Sequence, residues 1–306
     1  MSSVSSLSSV FLQARKKNAR GLTKMQKIIS KYLILAISLG GLSVLAQDMA
    51  IRENSNATLI GRWANGPCQS VVVNGNYAYF GNGGYLEIAD VSDPANPVKI
   101  SQILVPGIED LTYLNDYLFI ASGDAGLRII DVTTPSDPQE VGLYDTDNHA
   151  HSVAVSSNYA YVADGEDGLL IIDVSTPSDL MQVGTYNSGI FAVGVAVSGN
   201  YAYAIDEYSG GISIIDVSIP SNPQLVGSCT TNDAAHDVTV GGNYAYIAQL
   251  NGGLGIIDVS TPATPEVVGI YSTNWYNPTS SIAINNNLAY LSNGLNGLRI
   301  IDVSTP

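Results

Sequence analysis

Positive charge is what this chain most lacks. Only twelve of its 306 residues are Lys or Arg, and seven of those (Arg15, Lys16, Lys17, Arg20, Lys24, Lys27, Lys31) stand in the first 46 residues, which hold no acid. Beyond residue 46, Arg52, Arg62, Lys99, Arg128 and Arg299 face all 27 acidic residues, a net charge of −22. Nucleic acid is thereby excluded as a partner, because a phosphate backbone is held by neutralising it with Lys and Arg. Cysteine is also scarce: Cys68 and Cys229 fall in distant copies of the repeat described below, so no disulfide framework is expected. No stretch beyond residue 46 sustains a 3.6-residue apolar period, which leaves little room for helix. Nor does that part contain an apolar run long enough to cross a bilayer, so no transmembrane anchor is expected in it.

The basic first 46 residues read as a targeting segment. Lys27 and Lys31 precede the apolar run Tyr32 to Leu45, and Val44-Leu45-Ala46 offers a small-residue cleavage point before Gln47. The run is short for a membrane span and is broken by Gly40 and Gly41, so an uncleaved anchor is the weaker alternative. Met25 is a candidate true start. Residues 1–46 are therefore a secretory signal region, 47–56 a short linker, and 57–306 the folded part. Export to the periplasm, cell surface or medium is the expectation, and high acidity suits it by favouring solubility and attracting cations.

What the chain has in abundance is repetition. Six strand endings of the form Ile-Asp-Val or Ala-Asp-Val fall at Asp90, Asp131, Asp173, Asp216, Asp258 and Asp302, spaced by 41, 42, 43, 42 and 44 residues. That period matches one propeller blade. In the third copy, strands are expected at Ser152 to Val155, Tyr159 to Ala163, Leu169 to Val174 and Gln182 to Tyr186. The second strand repeats Asn-Tyr-Ala-Tyr at Asn76, Asn158, Asn200 and Asn243, placing large rings on one face. The third strand, as in Leu169-Leu170-Ile171-Ile172, is apolar on both faces and must be covered on both, which radial stacking of blades achieves. The expected fold is therefore all-β, a β-propeller of six four-stranded blades. Thr58 to Trp63 resembles a fourth strand and is expected to complete the sixth blade, so that the ring has no open edge. The alternative is a truncated ring of seven or eight blades.

These residues resemble a known family. Gly168-Leu169-Leu170-Ile171-Ile172-Asp173-Val174-Ser175-Thr176-Pro177, preceded by Asn158-Tyr159-Ala160-Tyr161-Val162-Ala163-Asp164-Gly165, is similar to the LVIVD repeat of bacterial and archaeal secreted or surface proteins. The resemblance covers nearly all of residues 57–306. It implies a propeller at or outside the cell surface, and it brings no shared catalytic residues.

A residue found in every copy is explained by the scaffold, so candidates for function are the departures. The six aspartates read as turn-closing residues and the tyrosine pairs as packing between blades. The departures gather in loops that a propeller places on one face, giving a candidate ligand-binding set of Gln69, Glu109, Asp110, His149, His151, Phe191, His236, Asp237, Trp275 and Tyr276. His151 and His236 share one repeat position with Gln69, Glu109, Val193 and Ser280, at the start of the innermost strand. His149, His151, His236 and Glu109 are thus candidate ligands for Zn²⁺ or Cu²⁺. The acidic turns Asp164-Gly165-Glu166-Asp167 and Asp206-Glu207 are candidates for Ca²⁺, although no complete calcium-loop spacing is present. No cofactor is required by the sequence.

Nucleophile-elbow, metalloprotease and dinucleotide motifs are all missing, and no catalytic residue is assigned. A carboxylate pair such as Glu109 with Asp110 or Asp167 leaves glycoside hydrolysis open. The leading expectation is a monomeric, non-enzymatic recognition scaffold for a protein, glycan or cation. The alternative is a metal-dependent hydrolase or lyase at the channel mouth.

Overall fold

A computed structural model describes residues 68–187, 189–231, 233–250, 253–272, 279–293 and 297–305. Blade 1 holds β1 (Val71–Asn74), β2 (Tyr77–Asn82), β3 (Tyr85–Asp90) and β4 (Val98–Leu104), and blade 2 holds β5 (Asp110–Leu114), β6 (Tyr117–Ala121), β7 (Leu127–Asp131) and β8 (Gln139–Tyr144). Blade 3 holds β9 (Ser152–Ser156), β10 (Tyr159–Ala163), β11 (Leu169–Asp173) and β12 (Met181–Tyr186), and blade 4 holds β13 (Ala192–Ser198), β14 (Tyr201–Asp206), β15 (Gly211–Asp216) and β16 (Gln224–Thr230). Blade 5 holds β17 (Ala235–Gly241), β18 (Tyr244–Gln249), β19 (Gly253–Asp258) and β20 (Glu266–Tyr271). Blade 6 shows β21 (Thr279–Asn285), β22 (Leu288–Asn293) and β23 (Leu298–Asp302) among the described residues.

Every sheet is an antiparallel meander in chain order, and the first strands of successive blades lie side by side around a central channel. This is a six-bladed β-propeller. The segment expected to supply the fourth strand of blade 6, Thr58 to Trp63, lies outside the described residues, as do the signal region and linker.

The core is a series of seams between blades. Tyr79, Leu86 and Ile88 of blade 1 meet Leu111, Leu118 and Ile120 of blade 2, and the same contact recurs along the chain, ending with Tyr246 and Leu254 of blade 5 against Ile282 and Leu291 of blade 6. The second tyrosine of Asn-Tyr-Ala-Tyr is buried in these seams at Tyr79, Tyr161, Tyr203 and Tyr246. The seam series has two exposed ends. Val71 is 57% exposed, whereas its counterparts Leu111, Val153, Val195, Val238 and Ile282 are 3–6% exposed. On blade 6, Leu298 and Ile300 are 53% and 42% exposed, against at most 6% at the same positions elsewhere.

Two repeated devices fix the blades. Each of the six aspartates that end a third strand accepts a hydrogen bond at 2.8–2.9 Å from the backbone N–H two residues on, as Asp173 does from Ser175. This closes the turn locally, as Asx turns do; the side-chain hydroxyl of the serine two residues on, together with this N–H, holds the carboxyls of Asp90, Asp173, Asp216 and Asp258 below the usual range, and the N–H then the Ser304 hydroxyl do so for Asp302. In the fourth strand, a glycine admits the neighbouring blade. A Cβ at Gly142, Gly184 or Gly227 would stand 2.2, 2.0 or 2.3 Å from the carbonyl oxygen of Pro177, Pro220 or Pro262 in the next blade. Blade 1 has Ser101 there instead, and its hydroxyl donates to the Pro135 carbonyl at 2.6 Å.

Candidate functional site

The loops that carry the histidines are held by backbone bridges between blades. Gly123, in the β6–β7 turn, exchanges both N–H···O bonds with Ala150 at 3.1 Å, and Gly165, in the β10–β11 turn, does the same with Ala192 at 2.9–3.0 Å. Ala150 lies between His149 and His151, so pinning it aims the two imidazoles at neighbouring turns. His149 Nδ1 lies 2.7 Å from Asp124 Oδ1, and its Nε2 lies 3.9 Å from Glu109 Oε1. The ring of His151 sits 4.6 Å from that of His149 and 5.6 Å from Phe191, and Phe191 sits 5.0 Å from Tyr208. Four rings therefore run in file across the face above blades 3 and 4.

His151 is half-buried, and its Nε2 is shielded from water without a hydrogen-bond partner. Burial, then the neighbouring His149 and His236, lower its pKa to about 4, so it is neutral at ordinary pH. His236 is separate from the file, with Nδ1 3.1 Å from the Ser280 carbonyl oxygen. Gln69 and Glu109 line a small recess of about 170 Å³ with Gly81, Gly83, Gly107 and Ile108. Trp275 and Tyr276 lie outside the described residues.

Two of the sequence-predicted residues, Asp110 and Asp237, turn out to belong to a hydrogen-bonded belt around the channel. The belt occupies the position just inside the histidine column: Ser70, Asp110, Ser152, Gly194, Asp237 and Ser281. Ser70, Asp110, Ser152 and Asp237 each take the N–H that begins an adjoining blade's inner strand. Leu111 N donates to Ser70 Oγ at 3.2 Å, Val153 N to Asp110 Oδ2 at 3.1 Å, Val195 N to Ser152 Oγ at 3.4 Å and Ile282 N to Asp237 Oδ2 at 2.8 Å. The Ser70 and Ser152 hydroxyls also donate to Asp110, at 3.1 and 2.9 Å. Gly194 has no oxygen to offer, and Val238 N turns to its own Asp237 Oδ1 at 2.8 Å.

The two carboxyls are surrounded by protein on all sides but the channel. Burial raises both, and for Asp237 burial together with the charge of Asp110 across the ring pushes the pKa up to about 6 despite the N–H donors.

As a metal centre the predicted set is incomplete. Among the described residues, no group of three or more His, Cys, Asp or Glu side chains is placed to share one ion. His149 and Glu109 approach each other, but His236 is engaged elsewhere. In the acidic turn, Asp164 is fully buried, and burial raises its carboxyl. The Thr146 hydroxyl and Asn148 N–H approach that carboxyl without reaching hydrogen-bond geometry. Asp206 is occupied as a loop brace, accepting from Phe191 N at 3.3 Å, Tyr208 N at 3.2 Å and the Ser209 hydroxyl at 2.7 Å. Both cysteines are free thiols.

Comparison with known families decides the relationship. The LVIVD repeat matches at residues 65–104, 109–146, 147–188, 191–231, 233–273 and 278–306. The chain belongs to the LVIVD-repeat family. A search of curated proteins gives no significant match to this LVIVD-repeat protein. Among solved structures it is similar to a functionally unknown protein from Desulfotomaculum acetoxidans, with TM-score 0.68 and 11% identity over 81% of this chain and 87% of that one. It is also similar to a putative 6-phosphogluconolactonase from Bacteroides fragilis, with TM-score 0.66 and 13% identity over 76% and 79%. BamB from Moraxella catarrhalis matches with TM-score 0.51 and 16% identity over 75% and 67%. At these identities the likeness is one of fold, and what the LVIVD-repeat chain does must be read from its own face.

Proposed function

We propose that this protein is a non-enzymatic recognition scaffold, exported and either secreted or held at the cell surface, that binds its ligand through the face bearing His149, His151, Phe191 and Tyr208. The observation that carries this reading is the file of four rings, built from loops that depart from the repeat and braced by backbone bridges rather than left loose. Ring faces and edges held in a fixed line offer a low-entropy contact surface of the sort that recognition sites use. The basic and apolar residues 1–46 support export. Monomeric protein is expected, since a propeller needs no partner subunit to form its core.

Binding to arrayed glycans and peptides by the purified protein, compared with Phe191→Ala and Tyr208→Ala variants, tests the reading. Selective ligands lost in both variants are the expected result, and ligands retained in both would remove this face from consideration.

One observation favours a second reading, an enzyme with its site at the channel mouth. The His149–Asp124 contact of 2.7 Å fixes one ring nitrogen and leaves the other toward Glu109, an arrangement able to move a proton in a hydrolase or lyase. The similar structure described as a putative 6-phosphogluconolactonase lends outside support that extends only to the fold. On the enzymatic reading, His149→Ala abolishes turnover of a substrate whose binding survives; on the scaffold reading, no turnover exists to lose.

A further inference from the structure

The recognition face lies in an acidic field with nothing to neutralise it. The loops around the ring file carry Glu109, Asp124, Asp145, Asp147, Glu166 and Glu207, and no Lys or Arg. The three described cations are engaged elsewhere: Lys99 with Glu87 at 2.6 Å, Arg128 with Glu140 at 2.7 Å, and Arg299 with Asn293 and Tyr271 at 2.8 and 3.2 Å. An anionic ligand would meet only like charge here.

At the outer end of the file stands Tyr208, 77% exposed. It is steadied on one side by the Phe191 ring and at its backbone by the Asp206 brace, and Glu207 precedes it. An exposed ring beside a carboxylate attracts an ammonium or guanidinium through the ring quadrupole and the charge together. The contacts from His149 to Tyr208 extend over roughly four residues of extended chain, more than one small amine can cover.

Taking the recognition reading as its basis, we propose that the ring file receives an extended segment of a partner protein carrying Lys or Arg side chains, one of them seated over Tyr208 next to Glu207.

The experiment uses the whole protein and three fluorescently labelled probes: a peptide alternating Arg or Lys with Gly and Ser, the same peptide with Glu in place of the cations, and a neutral tetrasaccharide. Anisotropy is read at low and high salt for the wild type and for Tyr208→Ala, Glu207→Gln and Asp179→Asn. The last variant makes the same charge change as Glu207→Gln, but in a turn on the opposite face. The cationic peptide alone should bind. Tyr208→Ala, which leaves every carboxylate in place, should weaken it roughly threefold to thirtyfold. Glu207→Gln should weaken it and flatten its salt dependence, while Asp179→Asn should match the wild type.

Equal affinities for wild type, Tyr208→Ala and Asp179→Asn would reduce the binding to bulk acidity and overturn the proposal. Absence of cationic-peptide binding at low salt would overturn it as well. If in that case the tetrasaccharide binds in a Tyr208-dependent way, the face remains a recognition surface and only the cationic partner falls. If the tetrasaccharide also fails, recognition by this face loses its support together with the proposal.

Discussion

Neutralising Asp237 should change how the stability of the propeller depends on pH. Its carboxyl has a pKa of about 6 in the folded protein, set first by burial and further raised by Asp110 on the opposite blade. In the unfolded chain an aspartate titrates near 3.9, so between these values the folded state binds more protons than the unfolded one. A raised aspartate therefore opposes folding when ionised. The penalty is absent below the unfolded value, grows as pH rises through about 6, and levels off above it at roughly 3 kcal/mol.

Asp237→Asn removes the titration and, with one amide oxygen in place of two carboxylate oxygens, takes the acceptor from either Val238 N–H or Ile282 N–H, which adds a constant offset at every pH. The quantity to measure is thus the stability difference between variant and wild type by urea unfolding, taken at pH 4.5 and pH 8. That difference should move in the variant's favour by about 2 kcal/mol from the lower pH to the higher. In an Asp110→Asn background the movement should be smaller, because one source of the upward shift is gone. A difference that stays flat with pH would refute the reasoning and mean that channel water solvates Asp237 fully.

Three further outcomes follow from the blade contacts. Gly184→Ala would place a Cβ 2.0 Å from the Pro220 carbonyl and should lower stability by about 2 kcal/mol or more, read as a fall in the urea midpoint at unchanged slope. Ser152→Ala removes a donor to Asp110 and the acceptor of Val195 N–H, and should cost about 1–3 kcal/mol in the same assay. Since Cys68 and Cys229 are both free, adding a thiol reductant should leave the melting temperature unchanged, and a fall on reduction would reveal a disulfide.

The architecture was legible because it is written several times over. Strand limits in the third copy agree with β9 to β12 to within a residue at each end, since alternation, Asn-Tyr turns and the closing aspartate act within one copy. The reading of the six aspartates as turn closers was legible for the same reason. Contacts between copies were harder. Asp110 and Asp237 stood out as departures and were assigned to a ligand face, whereas their bonds run to Val153 and Ile282 one blade on. An alignment column would have exposed this: Ser70, Asp110, Ser152, Asp237 and Ser281 are all short oxygen-bearing side chains at one position. His149 was picked out, but its partner Asp124 belongs to the previous blade's turn, 25 residues away. Tyr208 also departs from the repeat in a turn on the same face, but its place at the end of a ring file depends on Phe191, 17 residues back, and shows only in the fold.

The fourth-strand glycine and the proline carbonyl it faces have a consequence for how such a chain can change. Both halves of that contact are carried by every ordinary copy: a copy offers its glycine forward and the proline of its third-strand turn backward, as Gly142 with Pro177 and Gly184 with Pro220 illustrate. Duplicating or deleting one whole copy therefore regenerates a matching junction at the new boundary. Gene rearrangement can alter the number of blades without inventing a new interface, and only irregular loops such as those of His149 and Phe191 would be lost or doubled.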